Sequence, residues 1–343
     1  MLTTILSGGL IGLIFGFILQ RTRFCLTGGF RDMYIARNNT LFYAFLIAIT
    51  VESIGVLSLI KLGIIGNPYE EFSVLGAIVV SYLFGIGIVL AGGCATGTWY
   101  RAGEGLLGSW VALFFYMTSA AAMKSGFLVP LNQLIAKRWV INDDLAGQLG
   151  VPVWYFLVFL VAITSFVVIR ELRKPRRQIA SLPSKYKGVR HYLFEKTYHK
   201  YFAGLLIGLV AFIAWPASQL TGRVGGLGIT TPSAHLISYI ITGDSKQLGW
   251  GVFLVLGIFL GSFLAAKGSR EFRWRLPDLS TIGKSTLGGI FMGIGASWAG
   301  GCTIGNGLTA TAIFSSKGWI ALPVTILGVW TASYIIFVKP NKN

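Results

Sequence analysis

Charged side chains are scarce in this sequence. They make up 12% of 343 residues, against 54% hydrophobic residues and a mean hydropathy of +0.70. A soluble domain carries about 25% charged residues, so a water-soluble globule is excluded. Cysteine is equally sparse, with Cys25, Cys94 and Cys302 as the full set. An odd number without a CxxC pair argues against both a disulfide framework and a zinc site. With three histidines in the chain, a metal or redox sensor is a poor reading as well. No phosphate-binding glycine loop is present, so nucleotide-driven chemistry within the chain is not expected. No cofactor or metal is expected, and no enzyme activity.

Acidic residues are also few, 12 against 29 Lys and Arg, for a net charge of +17. In a soluble protein that balance would raise nucleic acid as a partner. Here it reads as loop topology, because Lys and Arg collect on the cytoplasmic side of membrane proteins. The basic clusters fall at 21–37, 170–200, 267–284 and the tail. Placing all four inside puts the N-terminus outside and the C-terminus in the cytoplasm. The Glu70–Glu71 and Asn142–Asp144 loops then lie outside.

The apolar residues come in blocks of bilayer length, roughly 17–25 residues each. Good candidates are 41–60, 73–91, 107–123, 153–169, 201–220, 250–266 and 319–338, with weaker, Gly-rich ones at 5–19 and 285–299. The first lacks a basic leader and a small-residue cleavage site, so it is expected to be a retained helix. The fold class expected is therefore all-α: a polytopic integral membrane protein of about nine transmembrane helices.

The chain also repeats itself. Residues 85–97 read GIGIVLAGGCATG and residues 293–305 read GIGASWAGGCTIG, with eight of thirteen positions identical at an offset of 208. A fainter echo joins Arg23-Phe24-Cys25 to Arg223-Val224-Gly225 at an offset of 200. Under the charge-based topology the span before Cys94 runs inward and the span before Cys302 runs outward. The two halves, 1–152 and 201–343, are then inverted repeats joined by a connecting helix and basic loop at 153–200. Inverted repeats are characteristic of transport proteins, with the site where the repeats meet.

Adjacent glycines beside a cysteine do not make a comfortable helix interior, since each Gly costs about 1 kcal/mol relative to Ala. Irregular backbone at membrane depth is tolerated when buried in protein or lining a cavity. Gly92, Gly93, Gly300 and Gly301 therefore predict helix breaks that present backbone N–H groups and a thiol to a path. A helix starting after such a break aims its positive end there, which suits an anion. Thr96, Thr303 and Asn306 add hydroxyl and amide donors; Thr27 and Gly28 stand beside Cys25. A thiol is a soft, weak donor, able to meet a sulfur-bearing substrate without holding it tightly. Packing through small residues is the alternative, and it is the expectation for Gly8, Gly12 and Gly16. Glu52, in the middle of a span, is a candidate intramembrane charge: a proton relay, or a satisfied interior group. Arg101 and Glu104 are expected to pair with each other at the inner surface.

These residues carry a family resemblance. Over essentially its whole length the sequence resembles the YeeE/YedE family of bacterial membrane proteins, whose characterised members take up thiosulfate. The likeness is most specific in Arg23-Phe-Cys-Leu-Thr-Gly-Gly-Phe-Arg-Asp32, Ala91-Gly-Gly-Cys-Ala-Thr-Gly97 and Ala299-Gly-Gly-Cys-Thr-Ile-Gly305. It implies short re-entrant helices meeting at the centre of an hourglass, with Cys25, Cys94 and Cys302 as the pathway cysteines. It implies thiosulfate as substrate and the bacterial inner membrane as location, with a cytoplasmic sulfur-relay protein as a partner to look for. Some relatives are linked to selenium, so another sulfur or selenium compound is an alternative substrate. A membrane sulfurtransferase forming a cysteine persulfide is the alternative activity; it would need a cation or base at the thiol, and Arg23 is the nearest in sequence.

Overall fold

The computed structural model describes residues 1–69, 71–136, 139–173, 188–196, 198–298 and 301–339. The chain begins with α1 (Leu2–Thr22), α2 (Leu26–Ile35), α3 (Thr40–Lys61), α4 (Val74–Leu90), α5 (Ala95–Gly103) and α6 (Leu107–Ser125). Short helices α7 (Val129–Ala136) and α8 (Leu145–Leu149) lead to α9 (Val153–Leu172) and α10 (Val189–Phe194). Then come α11 (Lys200–Gln219), α12 (Thr230–Thr242), α13 (Trp250–Gly268), α14 (Leu279–Trp298), a π-helical turn at Gly305–Ala310, and α15 (Ser316–Ser333). One small antiparallel ladder pairs β1 (Phe72–Ser73) with β2 (Val140–Ile141). The all-α expectation therefore holds.

Seven helical stretches are long and apolar enough to cross a membrane: Leu2–Ile35, Thr40–Lys61, Val74–Gly103, Val153–Leu172, Lys200–Gln219, Trp250–Gly268 and Ser316–Val338. The protein is thus a multi-pass membrane protein. All nine segments expected from sequence fall in long helices. The two outside this apolar set are α6 and α14, of 19 and 20 residues. Ser, Thr and Gly dilute both, and they pack against each other.

The order long, short, long, long, short, long occurs twice, in α1–α6 and again from α11 to α15 with the π turn as the second short piece. Contacts follow the same exchange. α1 packs on α13 as α11 packs on α3; α6 packs on α14 as α15 packs on α4; α5 meets α13 as the π turn meets α3.

Glycine sets these crossings. Gly8, Gly12 and Gly16 of α1 lie against the backbone carbonyls of Trp250, Leu254 and Ile258 of α13, as their role in packing required. Gly257 and Gly261 return the contact against Gly9 and Leu13. Gly204 and Gly208 of α11 lie likewise against the carbonyls of Ala44 and Ala48 of α3. A Cβ at these glycines has no room. Helices in lipid gain nothing from burying apolar surface against each other, so small residues that bring backbones into van der Waals contact carry the association. By contrast α9 buries little more than Leu157, Leu160 and Thr164, the last sharing a hydrogen bond of 2.9 Å with Thr50.

Candidate functional site

Three breaks bring the cysteines inward. α1 ends at Arg23 in the left-handed conformation (φ 51°, ψ 39°), and its amide closes the turn on the Gln20 carbonyl at 3.3 Å. Two residues later Cys25 caps α2 in extended backbone. α4 ends at Leu90, and Gly92 takes φ +71°, a conformation glycine adopts without strain. Cys94 then caps α5, and its sulfur accepts the Gly97 amide at 3.4 Å, the position a Ser or Thr oxygen takes in an ordinary cap. In the second half the π turn follows Cys302, whose carbonyl accepts the Asn306 amide at 2.8 Å.

The same local unit appears three times. Cys25 is followed by Gly28, Cys94 by Gly97 and Cys302 by Gly305, and in the second of these the thiol accepts the glycine amide. In each case the glycine stands three residues after the cysteine. Gly97 shows why. A Cβ there would lie 3.4 Å from the Cys25 sulfur and 3.5 Å from the Cys94 sulfur. Two thiols from different hairpins therefore converge on Gly97. Cys302 stands apart from this pair. Its sulfur does not come within 4 Å of the point at Gly97 where the other two meet.

All three cysteines are buried and free. Around them Thr27, Thr96 and Thr303 are also buried, and their hydroxyls have no hydrogen-bond partner among the described residues. Buried polar groups are rarely left so; here each belongs to the first turn after a cysteine. Asn306 donates to the Gly301 carbonyl at 3.1 Å and thereby holds the turn before the π helix. Gly93 is buried behind Arg101, while Gly28 has open space around its Cα. Gly300 lies outside the described residues.

A cavity of about 200 Å³ approaches from one side, lined by Arg223, Gly225, Thr230, Gly301, Asn306 and Lys317 among others. A second, of about 250 Å³, approaches from the other, lined by Gly92, Arg101 and Arg275 among others. Neither lining includes a cysteine, so both stop short of the thiols.

Glu52 is fully buried on α3, and the Trp215 indole N–H donates to it at 2.9 Å. Trp215 lines the first cavity and Gly226 packs on its ring, which ties the carboxyl to the loop after α11.

The expected pairing of Arg101 with Glu104 is not found. Glu104 pairs with Arg23 at 2.8 Å, while Arg101 turns back to donate to the Gly92 carbonyl and to the Tyr100 hydroxyl. A second arginine fitted the buried carboxylate better, because Arg23 reaches it from the end of α1 and also meets Glu271 at 2.9 Å. The guanidinium at the Gly93–Gly97 turn, on which the two thiols converge, is that of Arg101 and not Arg23. Sequence reasoning missed Arg101 for this reason, and it missed Gly97 and Gly305, although the Cys-x-x-Gly spacing was visible. It also missed Asp143. This buried carboxylate accepts from the Ser315 hydroxyl at 2.6 Å and the Lys317 amide at 2.8 Å, at the positive end of α15.

The chain matches the sequence profile of a family described as sulphur transport, over residues 21–331. It is 53% identical to the thiosulfate transporter TsuA of Escherichia coli K12, across 100% of this chain and 97% of that protein. It is 34% identical to the thiosulfate transporter TsuA of Spirochaeta thermophila, across 96% of this chain and 98% of that one. A third similarity, 41% over 101 residues, is to the probable transporter YedE of Escherichia coli K12 and covers 29% of this chain and 25% of that protein.

Proposed function

The chain belongs to the sulphur transport family, and from that premise we propose that it imports thiosulfate across a bacterial inner membrane through a path lined by Cys302, Cys94 and Cys25. The observation that carries this reading is the threefold Cys-x-x-Gly unit: a buried thiol at a helix start, with an unpartnered threonine hydroxyl beside it, between two cavities bordered by arginine. The full-length likeness to named thiosulfate transporters supports the choice of anion.

Thiosulfate enters the cavity bordered by Arg223 and Lys317. Helix-start amides, Thr303 and the Cys302 thiol replace part of its hydration shell. The anion passes to Cys94 and Cys25, with Thr96 and Thr27, and leaves on the side of Arg101. Because the cavities stop short of the thiols, passage requires the buried middle to open. Weak successive sites suit throughput, since conduction needs binding loose enough to release. The N-terminus lies outside and the C-terminus in the cytoplasm. The halves 1–152 and 201–343 are inverted repeats, with 153–200 as connector, a reading supported by the exchange-related contacts of α1–α13 and α11–α3. A cytoplasmic sulfur-relay protein receives the sulfur. Carriage leaves no covalent mark on the protein.

The test is growth of a sulfur-import-deficient bacterium on thiosulfate as sole sulfur source. Wild type is expected to restore growth, and well-expressed Cys25→Ala, Cys94→Ala and Cys302→Ala to reduce it at least tenfold. Growth with all three variants would mean that the thiols pack and do not conduct. No growth with wild type would move the substrate to another sulfur or selenium compound. A stable added sulfur by mass spectrometry on protein incubated with thiosulfate would favour persulfide chemistry instead.

A further inference from the structure

The cavity beside Arg101 is built as an oxyanion site. It opens where α6 begins, and Arg101, Ser109, Arg275 and Ser285 contribute to its wall. Arg275 is fixed through its backbone: its amide donates to Gly105 at 3.0 Å and its carbonyl accepts from Leu107 at 3.2 Å. Its side chain is exposed, and it forms no ion pair among the described residues. Arg101 forms none either, because Glu104 is committed to Arg23. Ser109 and Ser285 are 7% and 3% exposed and stand in the wall of this cavity. Gly108, in the first turn of α6, stands in the wall of the same space. Two guanidinium groups outside any ion pair among the described residues and two serine hydroxyls, with no carboxylate in the lining, form the donor set an oxyanion recognises.

We propose that this cavity is the exit site of the transporter, where Arg101 and Arg275 take the anion from the Cys25–Cys94 pair and hold it with Ser109 and Ser285 before release. Arg101 is the link, since its guanidinium lies at the Gly93–Gly97 turn next to the two thiols and it also lines the cavity. The assignment rests on the thiosulfate reading and on this side being cytoplasmic.

The test uses full-length protein in proteoliposomes with the basic side inward and radiolabelled thiosulfate outside. Arg101→Gln is expected to lower the maximal rate at least tenfold and Arg275→Gln three- to tenfold. The half-saturating external concentration should change less than twofold, because entry is untouched. Arg101→Lys should recover part of the rate. Wild-type rates in both glutamine variants would overturn the proposal. Loss in Arg101→Gln with a wild-type rate in Arg275→Gln would also overturn it, leaving Arg101 as a brace for the Gly92 turn. Absence of uptake by wild type would strike the thiosulfate reading itself. The exit site is then decided by titrating purified protein with thiosulfate: a tenfold weakening in the double glutamine variant supports it, and unchanged affinity removes it.

Discussion

Arg23 and Arg223 stand 200 residues apart at matching places in the repeat, and the protein uses them in opposite ways. Arg23 reaches out to two carboxylates, Glu104 at 2.8 Å and Glu271 at 2.9 Å. Gln20 also donates to Glu271, at 2.8 Å, so the ends of α1 and α5 are latched to the segment after α13. Arg223 folds back on its own loop, donating to the Gly225 and Gly226 carbonyls at 3.2 and 2.8 Å, with its guanidinium 5.5 Å from the centre of the Trp250 ring. At the end of α1 the positive charge is held in ion pairs; at the end of α11 it borders a cavity. A repeat copies the course of the backbone. Which partner a long side chain finds depends on the loops that surround it, and those differ between the halves.

The comparison can be broken first at the helix crossings, where the largest effect is expected. Gly12 and Gly204 sit at exchange-related contacts, each against a partner carbonyl that cannot move aside. Overpacking a core costs about 1–3 kcal/mol, occasionally more. Gly12→Val and Gly204→Val should each cost at least that much, read as loss of monodisperse protein on heating and size-exclusion. A loss in one variant only would mean that the crossings are not equivalent.

A smaller effect is expected at Glu52. Glu52→Ala leaves the buried Trp215 N–H without its acceptor, which costs about 1–3 kcal/mol. Glu52→Gln retains an acceptor and should cost less. The loss should loosen the Arg223 loop, through Trp215 and Gly226, and leave the Arg23 latch intact. Hydrogen exchange of segments 220–230 and 100–105 separates the two. Equal loosening of both would end the idea that the two ends are held independently.

The smallest effect sharpens the contrast through pH. Burial pushes the Glu271 carboxyl up, but the Gln20 amide and the charges of Arg23 and Arg21 outweigh it and hold the group below its ordinary value. A carboxyl lowered on folding contributes stability that is fully present above its unfolded value of about 4.3. That contribution is lost as pH falls through the lower folded value. Wild type should therefore lose thermal stability below about pH 4. Glu271→Gln should start lower and fall less over that window. Parallel acid profiles would show that the latch adds nothing.

The helix breaks were legible in sequence because paired glycines beside cysteine conflict with helix propensity. The packing glycines of α1 were legible because their spacing of four residues keeps them on one helix face. Arg101 was not legible. Glu104 lies three residues on and invites a local pair, yet Arg23, 81 residues away, reaches that carboxylate first. Gly97 was visible in the motif, but its use was not, because the second sulfur it admits comes from another hairpin.

The sequence by itself determined the membrane, the long helices, the twofold internal repetition and the positions of the three thiols. Hydropathy, charge bias and glycine spacing act over a few turns of chain, so they can be read without knowing what packs where. Tertiary structure alone decided that Cys25 and Cys94 converge on Gly97, that Arg23 and Arg223 part ways, and that Arg101 stands at the Gly93 turn. Those outcomes are contests between distant groups for the same partner, and geometry settles them only when the helices have met.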